Sequence, residues 1–173
     1  MQNQDEELNI FLKSVEQQAY RIALLALRNE ADALDAVQEA MTGLCKKYAS
    51  RPTRQWKPLF YKILNSRIID THRKTIVKSR LFGIFTQNIE DQPAAESATT
   101  QHPEKTAENT ENNALLNTAL QELPHRQRQA FLLRHWEEMS VKETAQAMGC
   151  STGAVKTHTS RAISSLQHKL EQY

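Results

Sequence analysis

The residues that could carry acid–base, nucleophilic or metal chemistry are scattered along this chain. Its histidines lack the spacing of metal ligands and stand at His72, His102, His125, His135, His158 and His168. Glu137 and Glu138 are adjacent and would point different ways on a helix, which is poor geometry for paired catalytic carboxylates. No convincing nucleophile stands out, so the sequence predicts a non-enzymatic protein without a metal or cofactor.

Cys45 and Cys150 are isolated, with neither CxxC spacing nor a pair of histidines nearby. They predict reduced, partly buried thiols in a cytosolic protein. The segment Met1–Leu8 is polar and acidic, unlike a secretory signal, and no stretch approaches the roughly 20 apolar residues of a membrane span. We therefore expect a cytoplasmic protein without membrane insertion.

Charge is distributed in blocks, although the net charge of the 173 residues is only +2. Residues 46–80 hold 11 basic side chains and a single acid, Asp70, while residues 1–45 and 81–113 each have a net charge of −5. A merely solvated helix face would carry acids to pair with its cations. The cationic block therefore indicates a surface that binds a polyanion.

The elements that must position these residues are predicted to be helices, because glycine (4) and proline (5) are scarce. An apolar stripe at helical spacing runs from Leu8 to about Leu27. A second helix is expected after Asn29, a good N-cap, and a long cationic helix is expected to begin near Pro58. The core face of the long helix would include Phe60, Ile63, Leu64 and Ile68.

The helical pattern of apolar residues is absent from the middle of the chain. Residues 86–113 are polar and acidic, with too few large apolar side chains to offset the entropy of ordering. The sequence therefore predicts an all-α protein of two small helical domains, residues 1–85 and 114–173, joined by a flexible acidic linker at 86–113.

The sharpest local signal is a helix-turn-helix near the C-terminus. Ser140 and Glu143 have capping-box spacing at the start of a short helix, and Gly149 can adopt the left-handed conformation that ends it. Ser151 can cap a longer second helix. A short helix, a glycine turn and a longer helix form the motif that inserts its second helix into a DNA groove.

The second helix of this motif divides into two faces when it is projected at about 100° per residue. One face is apolar and contains Val155, Thr159, Ala162, Ile163, Leu166 and Leu170. The opposite face has no acid and contains Gly153, Lys156, Thr157, Ser160, Arg161 and Ser164. Cations and small hydroxyls suit a major groove, although an ordinary helical hairpin with a solvated polar face fits the same pattern.

The assembled residues resemble the extracytoplasmic-function (ECF) group of bacterial sigma factors, in the sigma-70 family. The match at the C-terminal end includes Leu123-Pro124, Phe131–Arg134 and Met148-Gly149, with Ala154 where the family often has threonine. It resembles the fourth sigma region, whose second helix reads the minus-thirty-five promoter element. The resemblance implies DNA contacts by Thr152, Gly153, Lys156, Thr157, Ser160 and Arg161.

The segment Asp32–Glu39 resembles the second-region helix that docks on a coiled coil of the largest subunit of RNA polymerase. The contacts that it implies are Asp32, Asp35, Gln38, Glu39 and Thr42. Several of these residues are three or four positions apart and so form one polar strip opposite the apolar face of the helix. Without the resemblance, that strip would be interpreted as a solvated face.

The stretch Leu59–Asp70 resembles the segment that opens and reads the minus-ten element. The family usually has asparagine four residues before the aspartate, whereas this chain has Ser66 there and Asn65 beside it. The implied DNA contacts include Asn65, Ser66, Arg67 and Arg73, with Lys62, His72 and Lys74 near the DNA backbone. One of the aromatic residues Trp56, Phe60 and Tyr61 could stack on an extruded base.

The resemblance implies a factor that binds core RNA polymerase and directs it to promoter DNA for transcription initiation. Sigma factors of this group commonly have an anti-sigma partner, but no residue of this chain identifies one. A DNA-binding regulator that never joins polymerase is the alternative, and it would leave the cationic block and the Asp32–Glu39 helix unexplained. A third hypothesis is that the protein is an enzyme, but the sequence shows no catalytic site.

Overall fold

The computed structural model describes residues 2–85 and 107–171, with side chains for residues 4–81 and 113–171. The described residues contain no strand, which confirms the predicted all-α class. Their helices are α1 (Gln2–Leu27), α2 (Glu30–Tyr48), α3 (Thr53–Phe85), α4 (Ala107–Glu122), α5 (His125–Phe131), a π-helical turn (Leu132–Trp136), α6 (Val141–Met148) and α7 (Thr152–Leu170). None of these described helices is long and apolar enough to cross a bilayer.

Helices α1–α3, the N-terminal helices, pack around one apolar core. Asn29 caps α2 as expected, since its Oδ1 accepts a hydrogen bond from the backbone N–H of Asp32 at 2.9 Å. The predicted inner face of α2 is buried through Val37 and Leu44, and it packs against α3. The periodicity of the apolar residues therefore predicted correctly which faces of these helices form the core.

The start predicted for α3 was wrong by five residues, because the helix begins at Thr53 and carries Pro58 in its interior. Trp56 is buried, and its indole N–H donates to the carbonyl of Tyr48 at 3.1 Å. Burial of this large aromatic ring fixes the first turn of α3 ahead of the proline. The packing of Trp56 thus offsets the loss of the helical hydrogen bond that Pro58 cannot donate, because proline has no backbone N–H.

Helices α4–α7, the C-terminal helices, include the predicted helix-turn-helix. The capping box of α6 is formed: the Ser140 hydroxyl accepts from the Glu143 N–H at 3.2 Å, and the Glu143 carboxylate accepts from the Ser140 N–H at 2.8 Å. These hydrogen bonds also lower the pKa of Glu143. Helix α4 begins at Ala107, so the last residues of the predicted linker are helical, whereas residues 86–106 lie outside the described residues.

Gly149 ends α6 with a φ of 61° and a ψ of 41°, the left-handed conformation expected of it. Replacing Gly149 with alanine should lower the free energy of unfolding by about 1–2 kcal/mol, because a Cβ atom strains this conformation even in open space. The strain is purely conformational, since an added Cβ would meet no atom within 4 Å.

Urea denaturation monitored by circular dichroism measures this cost. Gly153→Ala is the matched control, because Gly153 lies in α7 and its added Cβ would only make an ordinary contact of 3.9 Å with the Ser151 hydroxyl. Alanine is the better helix former, so the control should be neutral or slightly stabilising. Equal losses in both variants would contradict the assigned role of the left-handed turn.

The two groups of helices contact each other, which the sequence analysis did not predict. Helix α6 packs against α3, and α4 packs against α1. Lys57 on α3 also pairs with Glu137, which follows the π-helical turn. The fold therefore brings together residues that are 80 or more positions apart in the chain.

Candidate nucleic-acid and polymerase interfaces

Helix α7 presents its polar face to solvent. Ser151 caps the helix by accepting from the Ala154 N–H at 3.1 Å, and Val155, Ala162 and Leu166 are buried against the other C-terminal helices. The predicted DNA contacts are all exposed: Thr152, Gly153, Lys156, Thr157, Ser160 and Arg161. The predicted core face departs from expectation only near its end, where Leu170 is 41% exposed.

The exposed face of α7 has the chemistry of a surface that reads DNA. Lys156 and Arg161 supply cations, and no acid lies among the residues of this face. The Thr157 hydroxyl donates to the Gly153 carbonyl at 3.1 Å, which leaves its lone pairs directed outward as acceptors. Such a face can contact phosphates and base edges in a major groove without repulsion from carboxylates.

The polar strip on α2 is also solvent-facing. Asp35, Gln38, Glu39 and Thr42 are exposed, whereas Asp32 is half-buried near the capping residue. Leu34 borders this strip and is 50% exposed, a feature that the sequence analysis missed. The sequence did contain a signal for this exposure, because Leu34 lies outside the apolar stripe of α2. A strip of acids and amides beside one exposed leucine can bind a partner helix by polar and apolar contacts together.

A polar groove joins the strip on α2 to the cationic part of α3. The Arg67 Nε lies 3.2 Å from the Glu39 carboxylate, and an Arg67 Nη lies 3.9 Å from Asp70. Arg73 and Lys74 line the same groove on its α3 side. Glu39, a predicted polymerase contact, therefore forms an ion pair with Arg67, a predicted DNA contact.

The predicted minus-ten residues on α3 have unequal exposure. Ser66 and Arg73 are exposed, whereas Asn65 is half-buried, with its Oδ1 3.0 Å from the Nε2 of His125 on α5. Burial is the main cause that lowers the pKa of His125 to about 4, assisted by the cations Arg128 and Arg126 and by His72. His125 is therefore neutral near pH 7 and can donate this hydrogen bond to Asn65.

The interpretation that an aromatic side chain stacks on an extruded base is wrong for this conformation. Trp56, Phe60 and Tyr61 are all buried. The rings of Phe60 and Tyr61 pack edge to face with centroids 5.2 Å apart, and Phe11 packs against both Trp56 and Phe60. The apolar environment that these residues share gives them a structural role in the core.

One ion pair holds the N-terminal and C-terminal helices together. The Lys57 Nζ lies 3.2 Å from the Glu137 carboxylate and donates to the Glu137 carbonyl at 2.6 Å. The Glu137 side chain is only 5% exposed. The pKa of Tyr61 is raised by burial and, to a smaller extent, by the carboxylate of Glu137. None of these contacts was predicted, because no local pattern marks a partner so distant in sequence.

Metal and thiol chemistry have no evident site in the part of the chain that the structure describes. Histidine, cysteine, aspartate and glutamate form no group of three there that could hold a metal ion. Cys150 is half-buried as expected, but Cys45 is exposed, so the expectation of burial was wrong for that thiol. The side chain of Cys45 lies outside the apolar face of α2.

Comparisons with known proteins identify the two regions in which these surfaces lie. Residues 11–75 match the family model of sigma-70 region 2, and residues 113–166 match that of sigma-70 region 4. The RNA polymerase sigma-E factor of Streptomyces coelicolor is 33% identical over 145 residues, which cover 84% of this chain and 77% of the relative. The sigma factor SigV of Bacillus subtilis is 32% identical over 155 residues, covering 89% and 85%.

Solved structures share the fold. The sigma factor RpoE of Bartonella quintana, determined in complex with the anti-sigma factor NepR, superposes with a TM-score of 0.67 at 23% identity. The alignment covers 99% of this chain and 98% of that one. CnrH, determined with the cytosolic domain of CnrY, has a TM-score of 0.62 at 19% identity, with coverages of 95% and 88%.

The chain belongs to the sigma-70 family, in its extracytoplasmic-function group. It directs RNA polymerase to promoters, a function that both family regions and the named relatives support. The sigma factor family is not a family of catalytic enzymes. The alternative of a regulator that never joins polymerase does not account for a region 2 match over residues 11–75.

Proposed function

We propose that this sigma factor divides its work among three surfaces, each on a different helix. The α2 strip formed by Asp32, Asp35, Gln38, Glu39 and Thr42 docks on the coiled coil of the largest polymerase subunit. The α3 residues Asn65, Ser66, Arg67 and Arg73 read and open the minus-ten element. The minus-thirty-five element is read by residues of α7, namely Thr152, Gly153, Lys156, Thr157, Ser160 and Arg161. The protein acts in the cytoplasm, where polymerase works.

The observation that carries this proposal is an exposed face of α7 that contains no acid, on a helix whose start is capped by Ser151. Val155 and Ala162 fix the rotation of the helix because both are buried. That rotation places Lys156 and Arg161 in solvent on the opposite side. A rigid helix with a set rotation can present the same few side chains to successive base edges, which sequence-specific reading requires.

An anti-sigma factor is proposed as a further partner. The support is the Bartonella quintana sigma factor of similar fold, which was determined in complex with the anti-sigma factor NepR. Such a partner would act on binding to polymerase or to DNA, without any change in the chemistry of transcription.

Mapping of transcription start sites tests the division of labour. Reconstituted holoenzyme transcribing genomic fragments should initiate downstream of two sequence blocks at constant spacing. Arg161→Ala should relax base preference in the upstream block only, by about 1–3 kcal/mol, or about 5–150-fold, where a good base contact is lost. If Arg161 contacts phosphate alone, transcription should fall evenly across sequences and the salt dependence should flatten.

Arg21→Ala is the matched control, since Arg21 is an exposed arginine on α1, outside the three proposed surfaces. It should leave both sequence blocks unchanged. Relaxation of the downstream block by Arg161→Ala would contradict the assignment of α7 to the upstream element.

A further inference from the structure

The last part of α3 is a surface that the other described helices leave uncovered. Every side chain of residues 73–81, the α3 extension, is exposed. Three of them are large and apolar, namely Ile76, Val77 and Leu81, each at least half exposed. The match to sigma-70 region 2 ends at residue 75, so most of the α3 extension lies outside both matched family regions.

The α3 extension is strongly cationic. Its four basic side chains are Arg73, Lys74, Lys78 and Arg80, and it contains no acid. No ion pair within the described part of the chain engages any of the four. Uncompensated cations along roughly 12 Å of exposed helix produce a positive potential, which favours a polyanionic partner.

This extension continues the surface that is proposed to read the minus-ten element. Ser66, Arg73 and Arg80 are seven residues apart, close to two helical turns, and therefore lie on the same side of α3. Ser66 and Arg73 are proposed minus-ten contacts, and both are exposed. DNA that follows this side of the helix beyond Arg73 meets Arg80 next.

The helix is long enough to carry contacts beyond the minus-ten element. From Arg67 to Arg80, α3 spans roughly 20 Å, which equals about six base pairs of B-form DNA. After α3 the chain continues to the helices proposed to read the minus-thirty-five element, which lies upstream. We therefore expect the end of α3 to point toward the duplex between the two elements.

The arrangement of side chains on the α3 extension suits a duplex. At about 100° per residue, Val77 and Leu81 form a narrow apolar row with Arg73 and Arg80 on one side and the two lysines on the other. Cations on both sides of a helix can reach phosphates of both strands that border a groove. The apolar row between them can contact sugars or thymine methyl groups.

Other occupants fit this surface less well. A second copy of the chain would bring two cationic surfaces together, and like charges repel. A membrane-surface helix buries a broad apolar face among the lipids, whereas the apolar row between these cations is one side chain wide. A duplex needs only cations at phosphate spacing and a helix that can approach it, and the α3 extension has both.

We propose that the α3 extension binds the DNA duplex immediately upstream of the minus-ten element through contacts of Lys78 and Arg80 with its phosphates. The inference rests on the proposed minus-ten role of α3 and adds a contact with DNA between the two elements. Phosphates carry no sequence information. The contact therefore strengthens binding to every promoter without changing which bases are preferred.

Promoter binding by reconstituted holoenzyme tests the contact. Replacing both Lys78 and Arg80 with alanine should lower the affinity about tenfold and reduce the slope of log affinity against log salt by about two, because each phosphate contact contributes about 0.9. Base preference in both elements should stay unchanged. Alanine favours helix, so α3 should remain folded. The matched control replaces Lys13 and Arg21, exposed cations of α1, and should change neither value.

A modified promoter separates DNA from other partners. Neutral methylphosphonate linkages over roughly six base pairs upstream of the minus-ten element should weaken binding of the wild type and cause no further loss in the double variant. Unchanged affinity and salt slope in the double variant would overturn the proposal, and so would an equal loss on both promoters, which would indicate a contact with polymerase. Binding of the wild type, but not of the variant, to phosphatidylglycerol vesicles with unchanged promoter affinity would assign the surface to lipid.

Failure of this proposal is distinguishable from failure of the proposed function. If wild-type holoenzyme does not discriminate among minus-ten sequences, the proposed role of α3 is wrong. If it does discriminate, while the double variant binds every promoter as tightly as the wild type, only the contact of the α3 extension is excluded.

Discussion

Replacing Asp35 with lysine is expected to abolish co-purification of this sigma factor with core RNA polymerase. Asp35 is exposed in the middle of the α2 strip, so the change reverses a charge at the centre of the proposed docking surface. Truncation or reversal of a charge at the centre of a protein interface commonly costs several kcal/mol, because the partner group is left unpaired. Affinity capture of core polymerase from a defined mixture measures the loss.

Asp35 is a better target than Glu39, although both belong to the same strip. Glu39 is paired with Arg67, so Glu39→Lys would disturb a proposed DNA contact as well as polymerase binding. Glu16→Lys is the matched control, since Glu16 is an exposed acid on α1. Capture of the Asp35→Lys protein at wild-type levels, with unchanged helicity, would exclude α2 as the docking helix.

The faces of the helices could be predicted from the sequence because burial follows the helical period. Val155, Ala162 and Leu166 recur at intervals of seven and four residues, and the structure buries all three. Caps were equally predictable, since Asn29, Ser140 and Ser151 each satisfy backbone N–H groups only a few residues away. Interactions between residues so close in the chain can be recognised from the local sequence.

The contact between the two groups of helices could not be predicted in the same way. Lys57 and Glu137 are 80 residues apart, and nothing near either residue indicates the other. Glu137 was considered only as half of an unsuitable carboxylate pair, and His125 only as a histidine without metal spacing. The start of α3 was missed for a related reason, because the burial of Trp56 depends on tertiary packing and outweighs the local signal of Pro58.

Transcription from duplex and premelted promoters should separate the reading surface of α7 from that of α3. Lys156→Ala should reduce transcription about 5–150-fold on both templates, because a lost contact to the upstream duplex is unaffected by melting downstream. Arg67→Ala should reduce transcription from the duplex at least tenfold and should be partly rescued on the premelted template. Premelting supplies the unpaired bases whose exposure this part of α3 is proposed to assist.

A matched control makes the template comparison specific. Lys13→Ala removes an exposed cation of α1, outside residues 46–80, and should change neither template, which accounts for the general effect of net charge. Identical responses of Lys156→Ala and Arg67→Ala to premelting would contradict the division of labour.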